Sequence, residues 1–311
     1  MQPELSHGSL SSGPATLAGG GELGALMRAM DWSRTSLGPV ESWPQALRTS
    51  VRILLTSRQP MFVWWGDQLT YLYNDAYRSI LGGKHPGALG KSAVEVWREI
   101  WDQISPRVHS AMRTNEGTYD EALLLIMERN GYREETYYTF SYSPVPDDSG
   151  EPGGIICANS DDTQRIIGAR QVALLRDLAS RTADARTIAE ACLLSAQSLE
   201  TGPRDLPFAL LYLLDADHRR VTLAGSSGIG LDSLVAPAEA LLDAPSLWPF
   251  AEVLHTHTPA LVSNLSGLGP LPRGAWDRPP HQAVALPIAP SGKTGRSGVL
   301  VVGLKSLPSS G

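Results

Sequence analysis

The most constraining feature of this chain is the block Met61–Thr163, in which the hydrophobic pattern changes from strand-like to helical and back. It opens with FVWW and LTYLY around Gly66-Asp67, and β-forming residues on both sides of such a pair predict a β-hairpin. The block ends with aromatic and β-branched runs that turn at Asn130-Gly131 and again before GGIICANS. Between them lies a predicted helix with a kink at Pro106 and one apolar face, formed by Val96, Ile100, Ile104 and Val108. This order predicts a small antiparallel domain, not a catalytic barrel.

The chain has 311 residues, enough for two domains and a linker. We predict an α+β fold with a five-stranded antiparallel sheet, helices on one of its faces, a helical linker, and a second antiparallel sheet with helices. Ahead of the first sheet, Leu47, Val51 and Leu54 form a helical stripe that we expect to cover it, with Trp32 and Trp43 at the junction. The expected boundaries are a disordered lead-in at 1–20, a helical cap at 21–60, the first domain at 61–163, a linker at 164–200, a second domain at 174–305 and a tail at 306–311.

Composition narrows the classes of protein to consider. The net charge of −6 and the pI near 5.7 argue against nucleic-acid binding, which needs a basic face. No apolar run approaches the roughly 20 residues of a membrane span, and the N-terminus lacks the features of a signal peptide. Two distant cysteines, Cys157 and Cys192, fit a reducing compartment better than a disulfide framework. We therefore expect a cytoplasmic protein.

Several motifs resemble known families of signalling domains. The strand pair, Asn74-Asp75-Ala76-Tyr77 with Gly82, the closing hairpin and Asp161-x-Thr163 resemble a PAS domain. Three segments are similar to the sensor region of bacterial histidine kinases, often hybrid kinases, in which a GAF domain follows the PAS domain. These segments are MDWSRTSLGPVESWPQALRTSVRILL, NGYREETYYTFSYSPV and RDLPFALLYLLD. AVALPIA and GVLVVGL in the region 174–305 are similar to that GAF domain.

The resemblance implies a sensor region that relays a signal, with Asp161 and Thr163 passing it into the linker helix. It also implies downstream kinase and response-regulator domains, and we expect a homodimer through the N-terminal helix and the linker, because paired helices transmit torque better than one. No histidine here is followed by the acidic residue of a phosphoacceptor helix, and there is no ATP-lid glycine box. We therefore expect a non-catalytic chain whose GAF region lacks its closing helix. Two rival hypotheses stay open, a receptor that carries heme, flavin or another chromophore, and a dimerisation scaffold without a ligand.

Several short segments match parts of catalytic or metal-binding motifs but lack the other residues that such sites need. Glu121-Ala122-Leu123 and Glu239-Ala240-Leu241 spell a tripeptide of cyclic-di-GMP phosphodiesterases, but the other metal-binding carboxylates of those enzymes are missing. Ser291–Thr294 lacks the first glycine of a phosphate loop and joins two strands. His255 and His257 would diverge on a helix end, so we predict no metal site.

The aromatic residues of the block are the candidates for a ligand pocket. Inward-facing side chains of the sheet are expected among positions that include Phe62, Trp64 and Ile156, and a core filled by them is the preferred interpretation over an open cleft. His109, on the predicted central helix, is the one heme-ligand candidate, with a surface histidine as the simpler reading. The cofactor is left open, with none as the preferred expectation, and so is a small-molecule ligand. The pocket candidates are Tyr71, Tyr73, Tyr77, Trp97, Trp101, Tyr137, Phe140 and Tyr142.

Overall fold

The structure is a computed structural model that describes residues 15–230, 233–265, 267–290 and 296–307. The chain forms two compact units that divide after Gln164, one built on a five-stranded and the other on a six-stranded antiparallel sheet. The predicted α+β class with two antiparallel sheets is therefore confirmed. The expected lead-in at 1–14, the Ser291–Thr294 match and the tail at 308–311 lie outside the described residues.

The first unit places a sheet between two layers of helices. Its strands are in the order β2-β1-β5-β4-β3. The predicted hairpin is β1–β2, with Phe62 opposite Tyr73 and a left-handed Gly66 (φ 72°) in the turn. The elements are α1 (Gly21–Ala29), α2 (Gln45–Thr56), β1 (Met61–Trp65), β2 (Thr70–Tyr73), α3 (Arg78–Leu81), α4 (Ala93–Val96), α5 (Trp101–Thr114), β3 (Thr118–Met127), β4 (Glu134–Pro146) and β5 (Pro152–Asp161).

The N-terminal cap covers the face of the sheet opposite to the one that α3, α4 and α5 cover. Leu47, Val51 and Leu54 of α2 are fully buried in one cluster with Val63 and Trp65 of β1, as the helical stripe predicted. Burying each such side chain contributes about 1.5–3 kcal/mol. Helices therefore cover both faces of the sheet, and not only the one face predicted, because β1 and β5 carry apolar side chains on both faces.

Two further features of the cap concern its ends. Trp32 and Trp43 are both buried and meet edge to face, with ring centroids 5.1 Å apart, as expected for the junction.

Residues 15–20, expected in the disordered lead-in, differ from that prediction. They contain a 3-10 turn whose Leu17 is 1% exposed and whose Leu17 carbonyl accepts a hydrogen bond from Arg28 Nη1 at 2.6 Å. The buried Leu17 side chain and the hydrogen bond from Arg28 hold this stretch against the cap.

The predicted central helix is interrupted. Its apolar face is buried as expected, but the helix breaks between α4 and α5, where Trp97 leaves the helical region (φ −113°, ψ 32°). Trp97 turns its indole into the core, where Nε1 donates to the Tyr71 hydroxyl at 3.1 Å. Pro106 lies inside α5 and does not end it. The helix therefore breaks beside a tertiary hydrogen bond and not at the proline.

The second unit has strand order β8-β7-β6-β11-β10-β9. The predicted linker region forms two helices, and Glu239-Ala240-Leu241 forms the short strand β8. Within the described residues, no helix is both long enough and apolar enough to cross a membrane. The elements are α6 (Thr163–Thr182), which begins at the end of the first unit, α7 (Ile188–Glu200), β6 (Ala209–Leu214), β7 (Arg220–Ser227), β8 (Glu239–Leu241), α8 (Phe250–Thr256), β9 (Ala260–Val262), β10 (Ala283–Ile288) and β11 (Gly298–Gly303).

Candidate functional site

The candidate site is the aromatic core between the first sheet and helices α3 to α5. Four of the eight pocket candidates, Tyr77, Trp97, Phe140 and Tyr142, line one cavity there. Tyr71 and Tyr73 are fully buried in the same core cluster without lining the cavity, and Trp101 packs against the cluster while partly exposed. The cavity is also lined by Phe62, Trp64, Ile80, Ile100, Ile104, Leu125, Met127, Tyr138 and Asn159.

The cavity is small. Its volume is about 30 Å³, whereas one water needs about 10–15 Å³ on the same kind of measure. It can therefore hold one or two waters and has no room for a flavin or a heme. The side chains fill this core, in agreement with the preferred interpretation of the sequence.

Aromatic contacts account for this close packing. The ring of Phe62 lies 4.4 Å from that of Trp64 and 5.3 Å edge to face from that of Tyr77, measured between centroids. Trp64 in turn lies 5.5 Å from Tyr142, and Phe140 lies 4.8 Å from Tyr142. Each such pair adds about 0.5–1.5 kcal/mol beyond the area that it buries. The rings therefore resist displacement by a ligand.

The polar atoms of the core are mostly paired with each other. Trp97 Nε1 donates to the Tyr71 hydroxyl at 3.1 Å, and burial raises the pKa of the Tyr71, Tyr77 and Tyr142 hydroxyls well above their ordinary value. These phenols therefore stay protonated and neutral. The exception is Trp64, whose buried Nε1 has no hydrogen-bond partner among the described residues. Because Trp64 also lines the cavity, a water there is the natural acceptor for this donor.

Two of the expected inward positions face the other side of the sheet. The prediction that Tyr137 and Ile156 face the core is wrong. From β4 the core cluster contains Tyr138, Phe140 and Tyr142, and from β5 it contains the residues on either side of Ile156. Successive side chains of a strand point to opposite faces, so Tyr137 and Phe140 cannot share one. Sequence reasoning missed Tyr138, although its spacing of two and four residues from Phe140 and Tyr142 was the available signal. Its hydroxyl accepts a hydrogen bond from Arg129 Nη1 at 3.0 Å.

Tyr73 connects the core to the N-terminal cap. Its hydroxyl lies 2.9 Å from His85 Nδ1, and His85 Nε2 lies 3.1 Å from Glu22 Oε1 on α1. The same glutamate pairs with Arg78 at 2.6 Å, and Asp75 accepts hydrogen bonds from the backbone N–H groups of Glu22 (3.2 Å) and Leu23 (2.8 Å). Residues of the Asn74–Tyr77 motif region thus cap and hold α1. No pattern in the sequence pairs residues so far apart.

The heme and metal candidates lie away from the core. His109 is exposed, while its helical neighbours Ile104 and Val108 are buried, so it faces solvent and does not line the cavity. His255 and His257 are also exposed, at the end of α8. Across the part of the chain that the structure describes, no group of three or more His, Cys, Asp or Glu side chains is arranged to hold a metal ion. Cys157 is buried, and burial raises the pKa of its thiol, which makes it a poor nucleophile.

The predicted signal-transfer residues lie where β5 passes into α6. The backbone N–H of Thr163 donates to Asp161 Oδ1 at 3.0 Å, and the N–H of Tyr137 on β4 donates to Thr163 Oγ1 at 3.0 Å. Asp161 is also the last residue of β5 that pairs with β4, opposite Tyr138. The start of α6 is therefore fixed to the sheet by side-chain hydrogen bonds as well as by the chain itself.

Several solved structures are similar to part of this chain at a low level. The GAF domain of an Acinetobacter phosphoenolpyruvate-protein phosphotransferase is 16% identical with a TM-score of 0.31, covering 45% of this chain and 79% of that one. A free methionine-R-sulfoxide reductase from Neisseria meningitidis is 14% identical with a TM-score of 0.32, covering 45% and 75%. A sensory box sensor histidine kinase from Vibrio cholerae is 15% identical with a TM-score of 0.25, covering 37% of this chain and 87% of its own. Similarity at this level carries no functional information.

Sequence comparison is informative for the first unit. No curated protein matches the chain. A family model described as the PAS fold matches residues 55–166, a range that contains the whole five-stranded sheet, the cavity and the Asp161–Thr163 exit. Residues 55–166 therefore form a PAS-family domain.

Proposed function

We propose that this chain is the cytoplasmic sensor region of a bacterial signal-transduction histidine kinase, in which the PAS domain and a GAF domain in the second unit relay a signal without catalysis. The kinase context and the GAF domain are supported by the sequence resemblances in MDWSRTSLGPVESWPQALRTSVRILL and RDLPFALLYLLD. On this proposal the chain acts as a homodimer, and its partners are the kinase and response-regulator domains of a phosphorelay. It binds neither nucleic acid nor membrane.

The observation that carries this proposal is the exit from the PAS sheet. Strand β5 ends at Asp161 and the 20-residue helix α6 begins at Thr163, with both residues bonded at that junction. A change in the packing of the sheet therefore moves the first turn of a long helix. A joint of this kind needs only a few kcal/mol of differential binding to shift its populations.

The proposal is tested in a chimaera that carries this chain in place of the PAS–GAF region of a histidine kinase. We expect Thr163→Val to change the autophosphorylation rate, because the substitution keeps the shape of the side chain and removes the acceptor of the Tyr137 N–H. Thr182→Val is the matched control, since its hydroxyl bonds to the Leu178 carbonyl at the other end of the same helix. Equal rates for Thr163→Val, Thr182→Val and the parent chimaera would contradict the proposal.

The small cavity favours, as a second candidate function, a dimerisation scaffold without a ligand. Thermal unfolding against a metabolite library separates the two, because a ligand at 100 times its Kd adds about 2.7 kcal/mol of stability. A sensor of small molecules is expected to give at least one such shift, and a scaffold none. The cofactor-bearing receptor is tested by the absorption spectrum of freshly purified protein. A Soret or flavin band would support it and overturn the filled core.

A further inference from the structure

A bulge in the edge strand β3 lies beside the start of α6. The β3–β4 pairing runs from Asp120 opposite Phe140 to Leu123 opposite Tyr138, so that two residues, Glu121 and Ala122, lie opposite the single Thr139. Ala122 has a left-handed backbone (φ 51°), which is unfavourable for an alanine. Bulges redirect a strand locally, and strained residues persist where their surroundings hold them.

The Thr139 side chain connects this bulge to the residue between the two predicted signal-transfer positions. Its Oγ1 accepts the backbone N–H of Ala122 at 2.9 Å and donates to Asp162 Oδ2 at 2.6 Å. The hydroxyl oxygen therefore accepts a hydrogen bond from the bulge, while its single proton is donated to Asp162. The Asp162 N–H donates to the Tyr137 carbonyl at 2.9 Å, which extends the β4–β5 ladder to the helix start.

The other end of the bulge is bonded to the helix layer above the core. Arg107 of α5 donates from Nε to Asp120 Oδ2 at 2.5 Å, and its Nη1 donates to the Gln103 carbonyl at 2.7 Å on the same helix. Ile104, one turn from Arg107, lines the cavity. The polar contacts, together with the short stretch of chain between Asp120 and Ala122, therefore connect a cavity-lining helix to Asp162, the residue before α6.

We propose that Thr139 is a positioning residue that couples α5 to α6 through the β3 bulge, with Arg107–Asp120 as the input contact and Asp162 as the output contact. One Thr139 hydroxyl bonds both to the Ala122 N–H and to Asp162, so a backbone change at Ala122 that withdraws this N–H alters the contact with Asp162 as well. The role of Thr139 in signalling rests on the proposed function, whereas the coupling is a property of this chain alone.

Hydrogen exchange tests the coupling. We expect Thr139→Val to speed exchange of the amides of 167–169, the first that bond within α6, by about fivefold, the change expected for the loss of one hydrogen bond of typical strength. The Ala122 amide should exchange faster as well. Thr136→Val is the matched control, because this threonine lies on the same strand and its hydroxyl bonds to the Leu125 carbonyl of β3. Thr139→Ser keeps the hydroxyl and should behave as the unmodified chain.

A double-mutant cycle tests whether the Arg107–Asp120 contact and Thr139 are energetically coupled. Arg107→Met should also speed exchange at 167–169, and this effect should vanish in the Thr139→Val background, since residues in one hydrogen-bond network are not additive. Should Thr139→Val fail to fold, Asp162→Ala replaces it in the cycle. An unchanged effect of Arg107→Met, or equal exchange in Thr139→Val and Thr136→Val, overturns the coupling. Coupled exchange together with an unresponsive kinase chimaera would instead refute the proposed function and leave the coupling in place.

Discussion

Alkaline pH is the perturbation that tests most directly whether the PAS core is closed. Burial raises the pKa of five core phenols above their ordinary value near 10, namely those of Tyr71, Tyr73, Tyr77, Tyr138 and Tyr142. Because the folded-state pKa is the higher one, the unfolded chain gives up these protons first. The stability that they contribute is fully present below pH 10 and is lost as the pH rises above it.

The size of the effect follows from the number of phenols. Each one removes about 1.4 kcal/mol of stability per pH unit above its unfolded pKa, so five remove at most about 7 kcal/mol per unit. Lys84 opposes them, because burial lowers the pKa of its ammonium and the resulting penalty disappears as the pH rises towards 10.5. One lysine against five phenols leaves a net loss. With a domain stability of about 5–15 kcal/mol, we expect the first unit to unfold roughly one to two units above pH 10.

The assay follows tyrosinate absorbance and far-ultraviolet circular dichroism in one titration. We expect the core phenols to ionise in the same narrow pH range in which helical signal is lost. Tyr142→Phe removes one of the five and should move the midpoint upwards, while Tyr119→Phe, at a residue 67% exposed, should leave it in place. Core phenols that ionise gradually near pH 10 while the dichroism stays native would refute the closed core, since they would have to be in contact with water.

Three further predictions concern stability and spectra. Asp75→Ala removes the side chain that caps α1 and should cost about 1 kcal/mol in urea unfolding, while Asp75→Asn, which keeps an acceptor, should cost less. Phe140→Ala enlarges the cavity and should cost about 3–5 kcal/mol, and part of the lost melting temperature should return with benzene but not with a polar solute of equal size. His109→Ala should leave the absorption spectrum of the purified protein unchanged, because this histidine faces solvent; a lost Soret band would contradict that placement.

The parts of the fold that follow from local periodicity could be predicted from the sequence. Leu47, Val51 and Leu54 recur at helical spacing, and the structure buries all three on the sheet. The β1–β2 hairpin follows equally well, because Gly66 takes the left-handed backbone that the turn requires. In both cases the residues that determine the element lie within it.

Features that depend on distant partners could not be predicted in this way. The helix breaks at Trp97, whose indole bonds to the distant Tyr71 hydroxyl, and the bulge at Ala122 has no glycine or asparagine that would indicate a left-handed residue. The cap of α1 depends on Asp75, far away in sequence. The error at Tyr137 was different, since the run YYTFSY places aromatic residues on both faces and only its alternation identifies Tyr138 as the inward one.

The closed core also determines at which part of the domain a stimulus can act with the smallest free-energy cost. A pocket for a small molecule needs about 300 Å³ or more, so ligand entry would displace several aromatic rings, each comparable to a deletion of about 3–5 kcal/mol. Releasing α1 breaks two capping hydrogen bonds to Asp75 and the contacts of the half-exposed Glu22 with Arg78 and His85, and it uncovers mainly Leu23 and Met27. Exposed pairs contribute about 0–1 kcal/mol, and each buried side chain about 1.5–3 kcal/mol. Since Leu23 packs in the core cluster and Met27 in the cap cluster, movement of α1 changes both faces of the sheet at once. The N-terminal helix is therefore an easier point of entry for a signal than the cavity.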